Sequence, residues 1–188
     1  MNKIILLAFL FTGAPVFAAN HVGFVNVGHA LDERLFCLAV TNGPQLSLSI
    51  MTKLYRQDKL DISAAIAEAA KGPYAGDRKI VVYYVNTPDF PPQITVPGRF
   101  AVVNVRGLNK DADEKLYWQR ILKMTLKGVA LACGFGANQD VGRCVMSAGS
   151  FDSLKGIDST SASYSPFCYF PLMEYLRRLD VVDVSDDE

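Results

Sequence analysis

One segment limits the fold more than any other. From residue 112 to 133 the chain keeps a helical rhythm, with Leu116, Tyr117, Ile121, Met124, Gly128 and Leu131 recurring at helical spacing. Asp111 and Glu114 stand as a capping box in front of it, and Gly134 and Gly136 end it. Such a helix is ~33 Å long at a rise of 1.5 Å per residue, enough to cross a whole domain. The remaining elements must pack around it.

Those elements are short. Residues 21–27 read as a first strand, and residues 35–40 with 46–50 as a second strand region broken by the turn signal Thr41, Asn42, Gly43, Pro44. Residues 61–71 place Ile62, Ala65, Ile66 and Ala69 on one face of a helix stopped by Gly72 and Pro73. Residues 79–85, β-branched and aromatic, read as a central strand, and residues 100–105 as another. Between them, residues 87–98 hold four of the nine prolines and read as a loop or edge segment. After the long helix, residues 137–166 are rich in Ser, Gly and Asp around an apolar knot at Cys144, Val145 and Met146. Pro171 opens a final helix with Leu172, Tyr175, Leu176 and Leu179 on its apolar face. The order predicts an α/β (α+β) fold, one mixed sheet packed on the long helix with a C-terminal helix beside it.

The amino terminus reads as an address. Lys3 precedes an apolar run from Ile4 to Phe11, and Ala18 closes a small-residue cleavage site, so residues 1–18 are expected to be a signal peptide. The run is shorter than the ~20 residues that span a bilayer, and no later stretch is longer, so no membrane span is expected. One domain over residues 19–180 and an acidic tail over residues 181–188 complete the expected organisation, with a periplasmic or extracellular destination. Lys plus Arg and Asp plus Glu are 19 each, which leaves no basic field for nucleic acid. The four cysteines, at 37, 133, 144 and 168, contain no CxxC pair, and in an exported chain their even number suggests disulfides whose pairing spacing leaves open.

Particular strings from residue 101 to 179 carry a resemblance. Arg120, Ile121, Leu122, Lys123 precede the glycine stop; Cys144, Val145, Met146 follow it; Ser153, Leu154, Ile157, Asp158 and then Phe167, Cys168 close the series. In that order they resemble the archaemetzincins, a metzincin-like family of zinc peptidases. The resemblance implies that family's fold, and it implies where a zinc site would stand. A site of that kind needs two His one helical turn apart, a third beyond the turn glycine, and a Glu to take a proton from metal-bound water. Aligned on Gly134, the three His positions fall at Lys127, Leu131 and Ala137 and the Glu position at Gly128. None of these vestigial positions supplies a ligand or a base. The chain has only two His, His21 and His29, so it cannot build a three-His site by itself.

The family's second, cysteine-bound metal site is similarly depleted, since its positions resemble Asn138, Cys144, Cys168 and Pro171. The resemblance therefore implies a disulfide between Cys144 and Cys168, with Cys37 and Cys133 left as a second bond or as buried thiols. Neither metal nor cofactor is expected. It also implies a peptide-binding edge strand along Phe100, Val102 and Asn104, beside the old active-site helix.

Other chemistries weigh less. His21 and His29 read as surface or capping residues without an evident orienting partner. Lys127 could serve as a nucleophile, although a lysine on an apolar helix face usually packs its stem and snorkels its amine. The Ser residues from 147 to 165 form no G-x-S-x-G elbow and read as turn formers. Trp118, Tyr117, Phe167, Tyr169 and Phe170 read as core rather than as a binding patch. The function expected is an exported, catalytically inactive archaemetzincin-like domain that binds a peptide or protein through a vestigial cleft. A hydrolase of another class reusing the cleft without zinc, or a purely structural secreted protein, are the alternatives.

Overall fold

In a computed structural model, residues 21–45, 48–61, 63–64, 78–89, 91, 93–96, 99–137, 144–149 and 151–182 are described. The expected signal peptide, most of the expected helix over 61–71 and the last six residues lie outside them. Asp61 does begin that segment as a cap, its carboxylate accepting from the Ala64 amide at 2.9 Å.

Among the described residues the sheet has five strands. β1 (His21–Val27), β2 (Thr52–Gln57), β3 (Arg78–Val85), β4 (Gln93–Val96) and β5 (Phe100–Asn104) stand in the order β2-β1-β3-β5-β4. All neighbours pair in parallel except β4, which runs antiparallel to β5. The inner strands carry unbroken apolar runs because both faces are covered. Val22, Phe24, Ile80, Val82, Tyr84 and Val103 face the main core. Val25, Val27, Val81, Tyr83, Phe100 and Val102 face a second, smaller cluster on the opposite side.

Four helices whose whole length lies among the described residues surround the main core: α1 (Glu33–Val40), α2 (Glu114–Ala132), α3 (Leu154–Ser159) and α4 (Pro166–Arg178). α1 replaces the strand expected over residues 35–40. Asp32 caps it by accepting from the Leu35 amide at 2.9 Å, and Phe36, Ala39 and Val40 are buried at helical spacing. A short apolar run does not separate helix from strand, and here the cap decides. A π-helical turn, Thr41–Gln45, follows α1. There Gly43 lies so close to α2 that a Cβ would stand 2.6 Å from Leu122 Cδ1.

The long helix is present, with Asp113 rather than Asp111 as its cap, accepting from the Leu116 amide at 2.7 Å. Asp111 instead adopts φ +52° in the preceding turn. Every residue from 120 to 130 of α2 is buried, since sheet, α1 and α3 enclose it.

α4 begins at Pro166, five residues before the expected start, and holds Pro171 inside. Pro166 suits the first helical position, where no amide donor is needed. Leu172, Met173 and Leu176 bury the helix and hold it through the second proline. Val181 and Val182, the first two residues of the expected acidic tail, are buried, and Val182 bridges Ile50.

Candidate functional site

α2 carries the positions where the resemblance places zinc chemistry. Lys127 is only 8% exposed, and its Nζ sits 4.0 Å from the centroid of the Phe151 ring. Burial pushes its amine below the ordinary lysine value, while Asp152 and the Cys144 thiol pull the other way. Gly128 faces the sheet, where a Cβ would stand 3.1 Å from Val103 Cγ2 and 3.5 Å from Val82 Cγ1. A carboxylate side chain has no room at that position. Leu131 packs partly buried against the core, and Ala137 is exposed beyond the helix end.

One turn earlier, α2 anchors α3. Arg120 Nε and Nη2 donate to the two carboxylate oxygens of Asp158, each at 2.7 Å, and Nη1 donates to the carbonyls of Leu108 and Lys110. Lys123 Nζ donates to the carbonyls of Ile157 at 2.9 Å and Asp158 at 3.2 Å. The Arg120 guanidinium holds the Asp158 carboxyl below the usual carboxylate range. Burial lowers the Lys123 amine, partly countered by Asp158. Two strings of the resemblance are thus two halves of one clamp.

Beside this clamp opens a cavity of about 460 Å³. Its floor is apolar, from Leu108, Met124, Phe151 and Ile157, and its rim carries Arg106 and Asp152. Asn104 closes one end, its amide donating to the Thr87 carbonyl at 2.8 Å. Arg106 is exposed, and among the described residues its guanidinium has no partner. The sequence reading did not single it out, because a lone Arg after a strand carries no pattern.

The expected edge strand is corrected. β5 is an inner strand, and β4, from within the proline-rich stretch, forms the edge. Phe100 and Val102 are buried on the face away from α2; of the three expected residues only Asn104 borders the cavity. Strand order follows from pairing partners far apart in the chain, which local composition does not encode.

No family model matches the chain, and no curated protein matches its sequence. Among solved structures, archaemetzincin from Methanopyrus kandleri superposes with a TM-score of 0.66 at 22% identity, covering 88% of this chain and all of that one. This chain has the archaemetzincin fold.

Placed on the archaemetzincin fold, the implied zinc ligands do not fit. An ammonium, an isobutyl and a methyl group stand at the positions the resemblance implies for the three His, and a packing glycine at the one it implies for the Glu. Among the described residues, no group of three or more His, Cys, Asp or Glu is arranged to hold a metal ion. His21, expected at the surface, is buried on β1 and shares a 2.9 Å hydrogen bond with the Tyr55 hydroxyl. His29 is exposed in a turn at φ +53°.

All four cysteines of this archaemetzincin-like chain are free thiols, so the implied Cys144–Cys168 bond is not formed. The Cys144 sulfur instead accepts from the Met146 amide at 3.3 Å. Burial raises this thiol, but the Ser165 and Met146 amides and the Ser147 hydroxyl outweigh it and hold the thiol below its ordinary value. Burial alone pushes Cys133 up. Tyr164, near Cys133, Cys144 and Cys168, donates to the Leu126 carbonyl at 2.5 Å and ties this cluster to α2.

Phe167 and Phe170 depart from the expected core, at 80% and 68% exposed on α4. A second cavity, also about 460 Å³, lies between α1 and α2 beside Arg34, Leu38 and Trp118.

Proposed function

We propose that this protein is an exported, catalytically inactive domain of archaemetzincin fold that binds an extended peptide along β4 and the adjoining cavity. The observation that carries the reading is the position of Lys127: an ammonium group packed on Phe151 where the resemblance places the first metal ligand. A fixed positive charge there repels a divalent cation, and Gly128 leaves no base beside it.

Peptide binding is supported by what the loss of metal leaves intact. Among the described residues β4 pairs with the sheet on one side only, and backbone hydrogen bonding along a sheet edge needs no metal. Export is supported by the order of basic head, apolar run and small residues over positions 1–18. No described helix is long and apolar enough to cross a membrane. The packing of Lys127 runs against a hydrolase built on its amine, which is held on a ring at 8% exposure.

Three measurements test the parts separately. Expressed with its leader, the chain should be recovered outside the cytosol with Ala19 as first residue by mass spectrometry. Dialysed protein should contain no stoichiometric zinc; one zinc per chain would overturn the inactive reading. An unmodified pentapeptide of alternating threonine and valine should bind more tightly than its N-methylated counterpart, which lacks the amide donors a strand ladder requires.

A further inference from the structure

β4 is antiparallel to β5, with Gln93 opposite Val103 and Val96 opposite Phe100. A strand added to β4 in the more stable antiparallel sense runs in the same direction as β5. Its carboxyl end therefore leaves the sheet on the side where β5 ends at Asn104, the residue that borders the cavity of Arg106, Phe151 and Asp152. Its amino end points the other way.

That cavity is built for a particular end group. Leu108, Met124 and Ile157, each at most 5% exposed, give it an apolar floor, and about 460 Å³ suffices for a terminal residue and its side chain. Arg106 on the rim has no partner among the described residues. Asp152 is the opposing charge, and it faces the Lys127 ammonium. With Lys127 and Arg106 against one aspartate, the group carries one excess positive charge, and Arg106 is its exposed member. A planar fork of donors suits a carboxylate, gripped in bidentate fashion.

Resting on the peptide reading above, we infer that the cavity captures the free C-terminus of the bound peptide: an apolar last side chain on the Met124 floor and its α-carboxylate on Arg106. The ligand is then a released chain end, and an internal stretch of a longer chain binds less tightly because it lacks the ion pair.

Fluorescein-labelled pentapeptides of alternating threonine and valine ending in leucine, as free acid and as carboxamide, provide the test by fluorescence polarisation. The free acid should bind at least about tenfold more tightly than the amide, a difference of about 1.4 kcal/mol. Arg106→Gln, at an exposed position, should keep the melting temperature and reduce the acid to the affinity of the amide. Equal binding of acid and amide to the wild type would overturn the inference while leaving the peptide reading intact. An acid preference that survives Arg106→Gln would overturn the assignment to Arg106. No binding of either peptide at millimolar concentration would overturn both readings.

Discussion

Arg120 and Asp158, 38 residues apart, meet through two hydrogen bonds of 2.7 Å, with the arginine side chain 4% exposed and the aspartate 31%. The contact joins the long helix to the last turn of α3, whose Leu154 and Ile157 line the cavity. Hydrogen bonds to charged groups contribute ~1.5–3 kcal/mol each, so Asp158→Ala should cost about 2 kcal/mol in urea unfolding. Arg120→Ala should cost more, since it also strands the Leu108 and Lys110 carbonyls. Arg120→Lys should recover little, because an ammonium cannot reproduce the fork.

The same pair sets an acid limit. The Asp158 carboxyl lies lower in the folded chain than in the unfolded one, so its contribution is complete above the ordinary carboxylate value near ~4 and is lost as pH falls through the folded value. The stability difference between wild type and Asp158→Asn, followed by denaturant titration from neutral to acid pH, should shrink over that window. A difference constant down to pH ~2 would refute the assignment.

Lys127 has the opposite sense. Its folded value is depressed by burial, so the charged form carries a penalty that fades as pH rises from the folded value to the unfolded value near ~10.4. Lys127→Met, similar in length and free of charge, should unfold at the same or higher urea concentration at neutral pH, since a buried charge replaced by an apolar side chain is often neutral or stabilising. The advantage of the variant should narrow in alkaline solution. A loss above ~2 kcal/mol would mean the cation–π contact with Phe151 outweighs burial.

Gly128 tests whether the implied catalytic position could be restored. In an exposed helix Gly→Ala would gain ~1 kcal/mol from propensity, but here the added methyl meets Val103 at 3.1 Å. Gly128→Ala should lower stability by about 1 kcal/mol. Gly128→Glu should fail to fold to a soluble monomer, as judged by size exclusion and circular dichroism.

Tyr84 and Thr125 share a 2.8 Å hydrogen bond between sheet and α2, with Thr125 also donating to the Ile121 carbonyl at 2.9 Å. Tyr84→Phe should cost about 1 kcal/mol in thermal or chemical unfolding, the usual net value of one buried hydrogen bond. Burial pushes the Tyr84 phenol well up, so no tyrosinate absorbance from it should appear before the protein unfolds in alkali.

Periodicity alone located α2, β1, β3 and β5, because each buries a regular pattern that only one backbone repeat can satisfy. Composition alone removed the three-His site, since the chain holds two His. Local pattern did not reach further. α1 was read as strand because Phe36, Ala39 and Val40 fit either repeat until the Asp32 cap is seen. The edge of the sheet passed from β5 to β4 because pairing order is a matter of partners distant in sequence. The clamp of Arg120 and Lys123 on α3 and the Lys127 amine over Phe151 join groups from separate elements, and the same packing brings Arg106 to the cavity rim. Sequence supplied those groups; only packing set which charges meet a partner and which one, among the described residues, does not.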